Sequence, residues 1–100
     1  MNRAKTSARE AVAAAEALAL HALTFLAGDP QRLGRFLALT GTGPADLRTQ
    51  AGEPAFLGGV LDYLLGDETL LLAFCKEYDL PPDVAAQARR LLPGAPSLEA

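Results

Sequence analysis

The sequence predicts an all-α protein, a compact orthogonal bundle of five to six helices. Composition is the first reason. Half of the 100 residues are apolar, and alanine and leucine supply 39 of those 50. Isoleucine is absent and valine occurs only at Val12, Val60 and Val84. A chain poor in β-branched residues and rich in the best helix formers argues against a sheet. Punctuation is the second reason: Gly and Pro fall at regular intervals and divide the chain into helix-sized pieces. Apolar spacing is the third. Val12, Ala15, Ala19, Ala22, Phe25 and Leu26 fall at helical intervals, as do Leu57, Val60, Leu61 and Leu64.

Taken in order, Ser7 with Glu10 reads as a capping box opening a first helix over about residues 8–27. Gly28 suits a left-handed stop. Asp29-Pro30 restarts the chain, with Asp as N-cap and Pro in the first turn, for a second helix to Thr40. Gly41 ends it, and Gly43-Pro44 opens a short third helix to about Gln50. Pro54 begins a fourth helix that stops at Gly66, and Asp67 caps a fifth over 68–78. Leu80-Pro81-Pro82 breaks the chain before a sixth helix from Asp83 to about Leu92.

One hundred residues fit one domain. The reading is a single helical domain over 1–94 and a mobile C-terminal tail over 95–100. Shifted by 38 residues, the chain overlays itself: Phe25-Leu26-Ala27-Gly28-Asp29 meets Tyr63-Leu64-Leu65-Gly66-Asp67, and Leu33 and Phe36 meet Leu71 and Phe74. From Ala17 to Gly41, seven of 25 positions are identical. The expectation is an internal duplication of a three-helix unit, with halves about 8–52 and 53–92.

The formal charge of −3 is mildly acidic, and the basic residues are scattered. Phosphate neutralisation needs a basic stripe, so this pattern argues against nucleic acid, including through Arg32, Arg35 and Arg48. A lone Cys75, in an apolar run, fits a reducing compartment and a buried, inert thiol. Glu10 and Glu16 interrupt the Ala-rich N-terminal run, which a secretory signal should not tolerate, and no run of some 18 residues is wholly apolar. A cytoplasmic protein with no membrane segment is expected.

No familiar catalytic or nucleotide-binding motif occurs. Gly41-Thr42-Gly43 lacks the Lys-Ser/Thr that a phosphate loop needs. His21 has no carboxylate or cysteine one helical turn away, so neither a dyad nor a metal site is expected from it. Asp29 and Asp67 form a repeated acidic pair, explained as N-caps, with a metal or acid–base pair as the alternative. Asp62, with Glu68 near it in sequence, reads as a solvated face. Neither catalytic residue, metal nor cofactor is expected. Gly58 and Gly59 lie inside the fourth helix, where glycine is costly; close helix crossing explains them, or a ligand or partner approaching the backbone there.

Apolar surface is in excess. Residues 70–75 read Leu-Leu-Leu-Ala-Phe-Cys, more than one buried stripe requires. Either helices four and five are central, or Leu70 and Leu72 face a partner protein or a second copy, with Arg32 and Arg35 on helix two as a basic rim.

The segments Phe25–Pro30, Arg32–Leu37 and Pro44–Arg48, and then Val60–Glu68 through Leu72–Phe74, give the chain a family likeness. It resembles a family of small, uncharacterised alphaproteobacterial proteins classed as a domain of unknown function, over about residues 14–94. The resemblance implies an all-helical bacterial protein and carries over no site. The functional expectation is a non-enzymatic protein-interaction module or adaptor. The alternative is a small-molecule binder or cryptic enzyme with a pocket between the halves, near Gly58, Gly59 and the Gly-Asp turns.

Overall fold

A computed structural model describes residues 3–94, with side chains from Ser7 onward. The tail expected over 95–100 lies outside the described residues. Six α-helices account for most of the chain: α1 Arg3–Ala27, α2 Pro30–Thr40, α3 Leu47–Gln50, α4 Pro54–Leu65, α5 Glu68–Tyr78 and α6 Asp83–Arg90. A 3₁₀ turn, Pro44–Asp46, leads into α3. No strand occurs among the described residues. The all-α bundle is the observed fold.

Local chemistry sets most boundaries as expected. The Asp29 carboxylate accepts from the N–H groups of Gln31 and Arg32 at the start of α2. Asp67 accepts from the Leu70 N–H, 3.1 Å away, at the start of α5. Gly41 takes the left-handed conformation, φ 74°, that ends α2.

Three boundaries differ from expectation. α1 begins at Arg3, so Ser7 lies inside it and caps nothing. Arg, Ala and Lys upstream of Ser7 are good helix formers, and they extend the helix past the capping signal. Gly28 does not adopt a left-handed conformation; its N–H donates back to Thr24 and Phe25 carbonyls instead. Asp79, φ 55°, is the one non-glycine residue that turns left-handed among the described residues, where the chain leaves α5 ahead of Pro81-Pro82.

The core is centred on α1, α4 and α6, each packed on the other two, with α2 against α1 and α5 against α4. Ala19, Ala22 and Leu26 from α1 meet Val60, Leu61 and Leu64 from α4, all fully buried. Small alanines on α1 let the helix axes approach closely. Phe36 anchors α2 edge-on against Tyr63 and Phe56, and Phe74 anchors α5 against Phe25 of α1, with Tyr78 of α5 beside it. Each fully buried phenylalanine contributes about 1.5–3 kcal/mol to holding its helix of eleven residues in place. Thus α4 is central, whereas α5 is peripheral and turns Leu72 outward.

Ser7–Ala27 of α1 is long and apolar enough to cross a membrane by length and composition, with mean hydropathy 1.4 over an 18-residue stretch of which 39% is buried. A core helix passes that same test, and Ala15, Ala19, Ala22 and Leu26 are core residues.

Candidate interaction surface

Residues four apart on a helix share a face. On α2 this puts Arg35 and Leu39 side by side. Both are exposed, and Leu39, at 67%, is the most exposed of the large apolar side chains among the described residues. Across from them run Asp62 and Tyr63 of α4, the Gly66-Asp67 turn, and Glu68 and Thr69 of α5. Together they line an open groove of about 470 Å³. Leu72 sits one turn beyond Glu68 and Thr69 on the same face of α5 and is 47% exposed. The α2 wall therefore carries one exposed leucine, a second lies one turn beyond the α5 wall, and the groove itself holds charges of both signs.

The sequence-derived surface residues divide into two pairs. Arg35 and Leu72 belong to this groove or its rim. Arg32 is engaged inward: its guanidinium lies 4.4 Å from the Phe25 ring centroid, and its Nε is 3.9 Å from Asp29. Leu70 is half-buried and packs against the core. Leu39 was missed by sequence reasoning. Its signal was available, because it follows Arg35 by four residues and breaks the stripe Leu33, Phe36, Leu37 and Thr40.

Two of the groove's three acidic residues, Asp62 and Asp67, already hold the fold. Asp67 is the α5 N-cap. Asp62, expected as a plain solvated carboxylate, grips a guanidinium with both oxygens: Arg89 Nε donates to Oδ1 at 2.6 Å and Nη2 to Oδ2 at 3.0 Å. The Asp62 side chain is 48% exposed, but Arg89 is 6% exposed. Arg89 Nη1 also donates to the carbonyls of Leu92 and Pro93, beyond the end of α6. One guanidinium thus ties α4, α6 and the chain after α6 together, with four charge-assisted hydrogen bonds that satisfy a buried cation.

Gly58 makes room for this clamp. A Cβ there would lie 2.9 Å from Arg89 Nη1 and 2.9 Å from the Pro93 carbonyl oxygen. The close approach at Gly58 therefore comes from within the chain. Gly59 faces open space, with nothing within 4 Å of its Cβ direction.

Other candidates find simple surroundings. His21 is exposed and stacks on Tyr78 with ring centroids 5.4 Å apart. Thr42, in the loop with two glycines, is buried and hydrogen-bonded to Thr40 and Gln50. Burial pushes the Cys75 thiol above its ordinary value. Among the described residues no three His, Cys, Asp or Glu side chains converge as metal ligands.

Compared with known proteins, residues 12–95 match a family described as a protein of unknown function (DUF3572). No curated protein and no solved structure matches the chain.

Proposed function

The chain belongs to the DUF3572 family, and we propose that it acts as a non-enzymatic protein-interaction module whose docking surface is the α2/α5 groove. The observation that carries this reading is the placing of exposed Leu39 with Arg35, Asp62 and Glu68 in one open groove, with exposed Leu72 one helical turn beyond Glu68 on α5. Exposed apolar side chains framed by charge are what a helix or loop of a partner protein covers. The carboxylates there support a binding role over acid–base chemistry, because Asp62 and Asp67 are committed to Arg89 and to the α5 N-terminus.

A small ligand between the halves has one supporting feature, since the groove runs from α2 to the Gly66-Asp67 turn. Its open form favours a protein, because small-molecule sites bury most of the ligand surface. Scattered basic residues favour a protein partner over nucleic acid. A bacterial cytoplasmic location accords with the family resemblance, the buried lone thiol and the use of α1 as a core helix.

We also read the halves as duplicates. Leu26 and Leu64, and Phe36 and Phe74, are all fully buried, and Asp29 and Asp67 both cap helices. The second half diverges where the clamp sits, with Gly58 in the place of Leu20.

The test is a quantitative pull-down from native cytoplasm with the parent and with Leu39→Asp and Leu72→Asp variants of parental helicity. Loss of a stoichiometric partner in both variants is expected. A partner retained undiminished by both would remove the groove from the interaction.

A further inference from the structure

We propose that the first half of α1 is a self-association surface whose occupant is a second copy of this chain, laid antiparallel across it. This uses a different face from the α2/α5 groove. α1 has 25 residues, so it runs about 37 Å at 1.5 Å per residue. The molecule measures 48 Å along its longest axis and 29 and 28 Å along the others. Of residues 7–16 only Ala15 is buried. Ala8, Arg9 and Ala13 are exposed, and Val12 and Glu16 are half-buried. These five side chains, all from α1, line a shallow, mostly apolar hollow of about 350 Å³.

The charges select the occupant. Arg9 and Glu16 are seven residues apart, close to two turns, so they stand on one side of the helix at opposite ends of the hollow. Among the described residues neither forms an ion pair. An isologous interface must be its own complement. With the twofold axis passing between Val12 and Ala13, Arg9 meets Glu16 of the second copy, Glu16 meets its Arg9, and Val12 meets its Ala13. A parallel copy would set arginine on arginine and glutamate on glutamate. The alanines at 8 and 13 allow the two helices to come close. Five side chains of one helix are far fewer than the roughly 20–30 residues a side of a standard stable interface, so the dimer should dissociate on dilution.

Sedimentation velocity on the full chain, from micromolar to submillimolar concentration, tests this. The parent should move from monomer to dimer. Arg9→Glu and Glu16→Arg should each weaken association by about tenfold or more, because twofold symmetry turns two attractive contacts into two repulsive ones. The double variant, Arg9→Glu with Glu16→Arg, should restore the parental affinity. Leu39→Asp should leave it unchanged. A parent monomeric over the whole range overturns the proposal. So do single variants that dimerise as tightly as the parent, a helical double variant as weak as the singles, or a dimer abolished by Leu39→Asp. A partner retained undiminished by Leu39→Asp and Leu72→Asp, with self-association as described here, would remove the docking reading alone.

Discussion

Arg89 occupies the space into which a side chain at Gly58 would grow: its Nη1 lies 2.9 Å from where the Cβ of residue 58 would be. The two residues are 31 apart in sequence and sit on α6 and α4. A mid-helix glycine and a buried arginine are each unfavourable alone. Together they form one device, which lets a guanidinium lie against the α4 backbone and reach Asp62, Leu92 and Pro93.

The adjacent glycines should therefore respond in opposite directions. Gly58→Ala forces a 2.9 Å contact with a backbone carbonyl as well as the guanidinium. It should destabilise by about 1–3 kcal/mol, as overpacked sites do. Gly59→Ala meets nothing within 4 Å, and should stabilise by up to about 1 kcal/mol through helix propensity. Urea melts followed by circular dichroism measure both.

Replacing Asp62 should be costly for a half-exposed carboxylate. Asp62→Asn removes the charge and one of the two side-chain acceptors, leaving a buried guanidinium with only neutral partners, the amide oxygen and the Leu92 and Pro93 carbonyls. A loss of about 1–3 kcal/mol is expected, below the 3–5 kcal/mol of a fully buried pair because water reaches Asp62. Arg89→Lys should not substitute, since an ammonium cannot reproduce the bidentate grip. Equal melts for Asp62→Asn and the parent would contradict the clamp.

Asp29→Ala and Asp67→Ala should each cost about 1 kcal/mol, the usual value of an N-cap. The two sites are far apart in sequence and share no partner, so the double variant should lose the sum. A thermal melt resolves it, with about 4–8 °C expected per kcal/mol for a domain of this size.

The Cys75 thiol should be inert in the folded protein. Burial raises its pKa from the ordinary value of 9.0, which keeps the reactive thiolate scarce. Ellman's reagent should label it only as fast as the chain opens. The folded state holds the thiol proton more tightly than the unfolded state. Its contribution to stability is therefore full below the unfolded pKa and is lost as pH rises above about 9 and through the folded value. Alkaline melts of the parent and Cys75→Ala should diverge in that window.

The helices were largely legible in the sequence because glycine, proline and aspartate act locally. Asp29 and Asp67 cap as their positions demand, and Gly41 turns left-handed as a helix stop should. The start of α1 was not legible, because Ser7 is a capping signal only if the residues before it resist helix. The Arg89 clamp was hidden for a different reason. Arg89 reads as one of several scattered basic residues, and its burial depends on α6 meeting α4, a tertiary fact. The pointer to it was Gly58, followed by Asp62 one turn later on the same face. The groove was half legible. Arg35 and Leu72 were readable as surface residues, while Leu39 gains meaning only when α2 lies opposite the start of α5.

The central claim is that the α2/α5 groove is where another protein docks. Photo-crosslinking from a benzophenone amino acid at position 39, in living cells, tests it most directly, with the same group at exposed Arg90 of α6 as control. One defined adduct is expected from position 39, absent from position 90 and lost on adding Leu72→Asp. No adduct from position 39, or the same adduct from position 90, would contradict it.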